Sequence, residues 1–248
     1  MDDRLSQIDT MWSVVQQAHR QEATQFAAAQ QQMLDRYGGA VRRYALAALR
    51  DPEAADEVFQ EFALKFVRGD YGKADPTKGR FRSFLKTSLY HLIVDYQRKR
   101  VKQQKQAGPL MADTPDVAES YQAPDDEAFL TSWRDELLSR VWQELEKVEL
   151  TTGKPYHTVL RMRVENPDVR SPELAEIVSR VLNKPMKAGA VRTSLHRARE
   201  KFGDLLIDEV AHSLSNATPE SVEQELIELD LWQYCKPALE RREESGEE

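Results

Sequence analysis

Apolar residues recur every three or four positions along nearly the whole of this 248-residue chain, and that periodicity leaves little room for anything but helix. Alternating apolar and polar runs bounded by turn residues, the mark of a half-buried strand, are missing. The expected fold class is therefore all-α. The length suits two small domains, each able to bury a core of its own.

Turn and cap residues divide the pattern. A helix is expected over residues 8–37, with Gly38 and Gly39 marking a break before a further helical stretch over 41–49. Asp51 and Pro52 form an N-cap and a first-turn proline, which start a helix over 52–68 with Val58, Phe59, Phe62 and Phe66 on its apolar side. After a loop over 69–79, Phe81, Phe84, Leu85, Leu89, Leu92, Ile93 and Tyr96 form the buried stripe of a helix over 81–101. Residues 103–125 carry Pro109, Pro115 and Pro124 with little periodicity and read as a flexible linker.

A second domain is expected from residue 126. Its first helix carries Phe129, Trp133, Leu137, Val141, Trp142, Leu145 and Val148 and stops at Gly153. A short helix over 156–164 follows. Ser171, Pro172 and Glu173 then supply a cap, a first-turn proline and an early acid for the first of two helices, over 172–182 and 188–206, arranged as a helix-turn-helix. An acidic amphipathic helix over 219–232, with Val222, Leu226, Leu229 and Trp232, closes the chain. The resulting division is an N-terminal helical extension (1–36), a first helical domain (37–102), the linker (103–125), a second helical domain (126–215) and an acidic extension (216–248).

The net charge of −7 argues at first against a nucleic-acid partner, because phosphate binding uses Lys and Arg. The distribution reverses that reading. Residues 78–105 hold nine Lys and Arg against the single acid Asp95, and residues 170–201 hold eight against three acids. The tail, residues 218–248, holds ten acids and three bases and so carries the whole net charge. Two basic islands on an otherwise neutral chain make a credible DNA footprint.

Several function classes recede. A lone cysteine, Cys235, forms no internal disulfide, and the scattered histidines lack partners at zinc-ligand spacing, so neither a structural metal nor a cofactor is expected. His19, His157 and His212 read as surface or helix residues, and Trp133 and Trp142 as core. No apolar run nears the roughly 20 residues that span a bilayer. The N-terminus has acids where an export signal has bases, so a cytoplasmic location without membrane insertion is expected. Neither clustered carboxylates, a nucleophile beside a base, nor a glycine-rich phosphate loop suggests an enzyme.

Within the second island, Val191, Leu195, Ala198 and Phe202 should face the core, leaving Arg192, Thr193, His196, Arg197 and Arg199 exposed, with Lys187 ahead of them. Such a helix suits the major groove, where Arg pairs with guanine edges or phosphates. The first island combines Lys78, Arg80, Arg82, Lys86, Arg98, Lys99 and Arg100 with Tyr71, Phe81, Tyr90 and Tyr96, a mixture suited to unstacked single-stranded bases. Helical phase places Thr87, Tyr90, His91 and Arg98 at its rim or outside. The plainer reading of each island is a solvated basic face with its aromatics in the core. The helix before the first island is acidic at Glu53, Asp56, Glu57 and Glu61, with Gln60 between, which suits a protein partner better than DNA.

DPEAADEVFQEFALKF followed by GRFRSFLKTSLYHLIVDYQRKR resembles regions 2.2 to 2.4 of the extracytoplasmic-function group of the sigma-70 family. GAVRTSLHRAR resembles the second helix of its region 4.2. The two occur in the family's order and together cover most of residues 37–210, and the N-terminal approach, including WSVV, is similar to that of planctomycete-type members. The resemblance implies that Asp56, Glu57, Gln60 and Glu61 bind the largest subunit of core RNA polymerase. It further implies that the loop at 71–81 captures a flipped base of the minus-ten element, and that region 4 reads the minus-thirty-five element as duplex. His91 stands where the family pattern has asparagine, which bears on minus-ten preference. Promoter DNA and core polymerase are the implied partners, and an anti-sigma factor is one that the resemblance allows without requiring.

Two other readings remain open: a helix-turn-helix regulator that never joins polymerase, and, for the acidic extension, either a solvated cap on the second domain or a segment competing with DNA for its basic face.

Overall fold

The computed structural model describes residues 23–71, 80–107, 126–214 and 216–246. Among them are nine helices and no strand, so the all-α expectation holds. They are α1 (Ala23–Leu49), α2 (Pro52–Arg68), α3 (Phe81–Ala107), α4 (Asp126–Thr152), α5 (Tyr156–Glu165), α6 (Ser171–Val181), α7 (Ala188–His212), α8 (Pro219–Glu228) and α9 (Trp232–Gly246). No helix among the described residues is long and apolar enough to cross a membrane. The described residues form two compact units, one within residues 23–136 and 212–216, the other within residues 137–211 and 217–246.

In the first unit, α1 runs unbroken through Gly38 and Gly39, where a break was expected. The two glycines serve close packing instead. A methyl group on Gly38 would stand 3.2 Å from the Phe59 ring, and one on Gly39 would collide with the Glu136 carboxylate. That carboxylate is held by Arg43, whose Nη2 lies 2.7 Å from Glu136 Oε2 and also donates to the Ser132 carbonyl at 3.2 Å. After α1, the Asp51 carboxylate accepts hydrogen bonds from the amides of Glu53 and Ala54 and Pro52 takes the first turn, so α2 begins and ends where its caps dictate. Gly69, at φ 81°, supplies the left-handed residue that closes it.

The core of this unit joins Tyr37, Val41 and Tyr44 of α1, Val58, Phe62 and Phe66 of α2, and Phe81, Leu85, Leu89 and Ile93 of α3. Phe129 and Trp133 complete it. Trp133 stacks on Tyr37 with ring centroids 4.7 Å apart, and Phe129 meets Tyr44 edge to face at 5.1 Å. Both had been expected to line the second domain, beginning at residue 126. Instead the first turns of α4 belong to the first unit, because α1 offers Tyr37 and Tyr44 two turns apart on one face and large aromatic rings bury the most apolar area there.

The second unit packs Leu145 of α4, Val159 and Leu160 of α5, Leu174, Ala175 and Val178 of α6, and Val191, Leu195 and Ala198 of α7 into one core. Trp142 lies at its margin, edge-on to Phe202 at 5.2 Å and to His157 at 5.6 Å. Gly153, at φ 68°, ends α4 as expected. The cap of α6 differs: Arg170 occupies the N-cap position without a side-chain bond, and Ser171 lies already in the first turn. Between α6 and α7 the turn is held by Ser179, whose hydroxyl donates to the Ala175 carbonyl at 2.6 Å and accepts from the Met186 amide at 2.9 Å. Asn183 takes the left-handed conformation at φ 47°.

The C-terminal segment is more built than its acidity implied. One helix was expected over 219–232; the chain turns instead at Asp230, φ 55°, and α9 starts at Trp232. Val222, Leu226, Leu229, Leu231, Cys235 and Ala238 are buried. A methyl group on Gly203 of α7 would lie 3.2 Å from the Ala238 methyl, so α9 packs closely on α7 at that glycine.

Candidate nucleic-acid and partner interfaces

On α2, Asp56, Glu57 and Gln60 are exposed and Glu61 half-buried. Positions i, i+1, i+4 and i+5 share one side of a helix, which gathers all four into a single ridge. Asp56 lies 3.3 Å from Arg42 Nε, and that guanidinium also covers the Phe59 ring at 4.4 Å. The ridge borders a groove of about 120 Å³ between α2 and α3, where Glu57 and Glu61 face Lys65, Tyr96 and Lys99. Partial burial raises the Tyr96 hydroxyl pKa, as does the nearby Glu57 carboxylate. Lys65 was not singled out from the sequence, because its sign disagreed with the ridge and only packing places it in the groove.

The first basic island is sorted by burial. Thr87, His91, Arg98 and Lys99 are exposed, and Arg80 and Tyr90 half-buried. Thr87, His91 and Arg98 are spaced by four and seven residues, one stripe along α3, with the Tyr90 ring 5.6 Å from that of His91. Three expected contacts are placed differently. Arg82 is only 8% exposed, because its phase at the start of α3 turns it inward. Tyr71 is enclosed by Phe62, Phe66 and Phe84, the last edge-on at 5.4 Å, so its ring serves the core and not a stacking platform. Burial, then Asp70 and Glu61, raise its hydroxyl pKa. Lys86 is ion-paired with Asp126 at the start of α4. Arg100, also in the island, lies 3.5 Å from the α2 cap Asp51. Lys78 and most of the loop expected to capture a base lie outside the described residues.

The second island matches its helical phase. Val191, Leu195 and Ala198 are buried, while Arg192, Thr193, His196, Arg197 and Arg199 are exposed on the first turns of α7, with Lys187 exposed just before it. Thr193 donates its hydroxyl to the Gly189 carbonyl at 3.2 Å, and His196 Nε2 stands 3.7 Å from Glu200. The surface combines three arginines, a histidine and a threonine on α7 with a lysine just before it, an arrangement able to contact base edges and phosphates together. Lys154 and Lys201, which no local pattern singled out, lie beside it, brought there by the connection between α4 and α5 and by the fourth turn of α7.

Residues 33–103 match the family model described as Sigma-70 region 2. The match spans the later part of α1, α2 and nearly all of α3, and so takes in both the acidic ridge and the first basic island. No curated protein and no solved structure matches the chain.

Proposed function

We propose, from a chain whose residues 33–103 match sigma-70 region 2, that this is a sigma-70 family sigma factor, of the extracytoplasmic-function group and similar to planctomycete-type members. It binds core RNA polymerase in the cytoplasm and directs it to promoters, and is itself no enzyme. The observation that carries the reading is the matched segment's division into an acidic ridge on α2 and, on α3, an exposed stripe of Thr87, His91 and Arg98 beside Lys99.

The mechanism follows from charge. DNA repels the ridge of Asp56, Glu57, Gln60 and Glu61, which leaves it to the polymerase, and complementary charge speeds and orients that docking. Thr87, Tyr90, His91, Arg98 and Lys99 then lie along α3 to hold the opened minus-ten strand, by phosphate contact and by stacking. Residues 137–211 act as region 4, with α6 and α7 as the helix-turn-helix. Arg192, Thr193, His196, Arg197 and Arg199 enter the major groove of the minus-thirty-five duplex, and Lys187 approaches its backbone. An anti-sigma factor would act by covering either face.

A pulldown with purified core polymerase tests this. The full-length chain should form a complex, and Asp56→Asn with Glu61→Gln should weaken it by roughly tenfold, about 1.4 kcal/mol. A chain that binds duplex DNA yet never captures core polymerase would instead be a stand-alone helix-turn-helix regulator.

A further inference from the structure

Beside the DNA-facing turns of α7, the second unit has a depression of about 390 Å³ whose walls include Lys154, Arg197, Lys201 and Arg241 and the carboxylates Glu200 and Asp204. Glu200, Asp204 and Asp208 recur every four residues, which makes an acidic stripe along α7. Such a stripe next to a phosphate-binding surface repels DNA.

The C-terminal helix α9 covers it with cations. Arg241 places Nη1 3.3 Å from Glu200 and Nη2 3.3 Å from Asp204. Arg242, its side chain 12% exposed, lies 2.8 Å from Asp208 and donates to the Asp204 carbonyl at 3.0 Å. An extension that is acidic overall thus meets α7 through its two adjacent arginines. Both carboxylates of the depression are bridged by Arg241, and the charge of Lys154, Arg197 and Lys201 dominates what remains.

We infer that this depression is a seat for a backbone phosphate of duplex DNA, formed by Lys154, Arg197 and Lys201 and completed by Arg241, so that the C-terminal extension supports DNA binding instead of competing with it. The inference rests on the reading of α7 as a DNA-binding helix. Arg197 belongs to both surfaces, which makes the seat continuous with the base-reading turns. Duplex DNA carries a negative charge about every 1.7 Å along its axis, so a cationic depression one turn farther along the same helix meets its backbone.

The test is binding of the full-length chain to a labelled mixed-sequence 30-base-pair duplex, the probe length being chosen to cover about three helical turns, across a salt series. Lys154→Ala and Lys201→Ala should each weaken binding and each reduce the slope of log affinity against log salt by about 1. Arg241→Ala should weaken it too, and adding Glu200→Gln and Asp204→Asn to that variant should restore it. Thermal unfolding of each variant separates loss of fold from loss of contact, and Lys154→Ala and Lys201→Ala leave the α9 contacts intact. Arg192→Ala is the control for the underlying reading. If it weakens binding while Lys154→Ala, Lys201→Ala and Arg241→Ala do not, the phosphate seat is wrong and the DNA-binding helix stands. If none of the four weakens binding, both fall.

Discussion

The thiol of Cys235 is buried between α9 and its surroundings, and burial pushes its pKa up from 9.0 to about 12. A thiol reagent at pH 8 should therefore label the native chain far more slowly than the denatured one, since only the thiolate reacts; rapid native labelling would contradict the packing of α9. The sign for stability follows from the raised value. The contribution is fully present below about pH 9 and is lost as pH rises toward 12. At this scale much was legible beforehand: exposure of Arg192, Thr193, His196, Arg197 and Arg199 follows from the helical phase of Val191, Leu195 and Ala198. Arg82 and Tyr71 were not legible. A basic or amphipathic residue at the edge of an element can turn either way, and only the neighbouring Phe62, Phe66 and Phe84 decide it for Tyr71.

Element boundaries were readable where chemistry forces them. Asp51 with Pro52 starts α2, and Gly153 ends α4. Glycine without such a demand misleads, as Gly38 and Gly39 did, since a glycine can equally mark a close approach between helices. The glycines of α7 separate the two roles. Gly189 has nothing within 4 Å of where a methyl would stand, whereas at Gly203 the Ala238 methyl and the Tyr234 carbonyl would lie at 3.2 and 3.5 Å. Gly189→Ala should therefore stabilise the chain by about 0.5–1 kcal/mol. Gly203→Ala should destabilise it and expose α9 to limited proteolysis. Equal gains at both positions, measured by urea unfolding, would show that α9 does not rest on α7.

For the molecule as a whole, two compact units were expected, but not that α4 would contribute to both. A contact between residues nearly a hundred positions apart, such as Tyr37 on Trp133, leaves no trace in local periodicity. Trp133→Ala should cost about 3–5 kcal/mol in urea unfolding, as for a fully buried ring; a loss below about 1 kcal/mol would remove Trp133 from the core. The functional account joins a polymerase-binding ridge to two DNA-binding surfaces in one chain, and all three must work together in initiation. Run-off transcription with purified core polymerase and a genomic promoter library measures that directly. Adding the full-length chain should produce transcripts from discrete start sites, and Asp56→Asn with Glu61→Gln should reduce them; a chain that directs core polymerase to no start site would contradict the account.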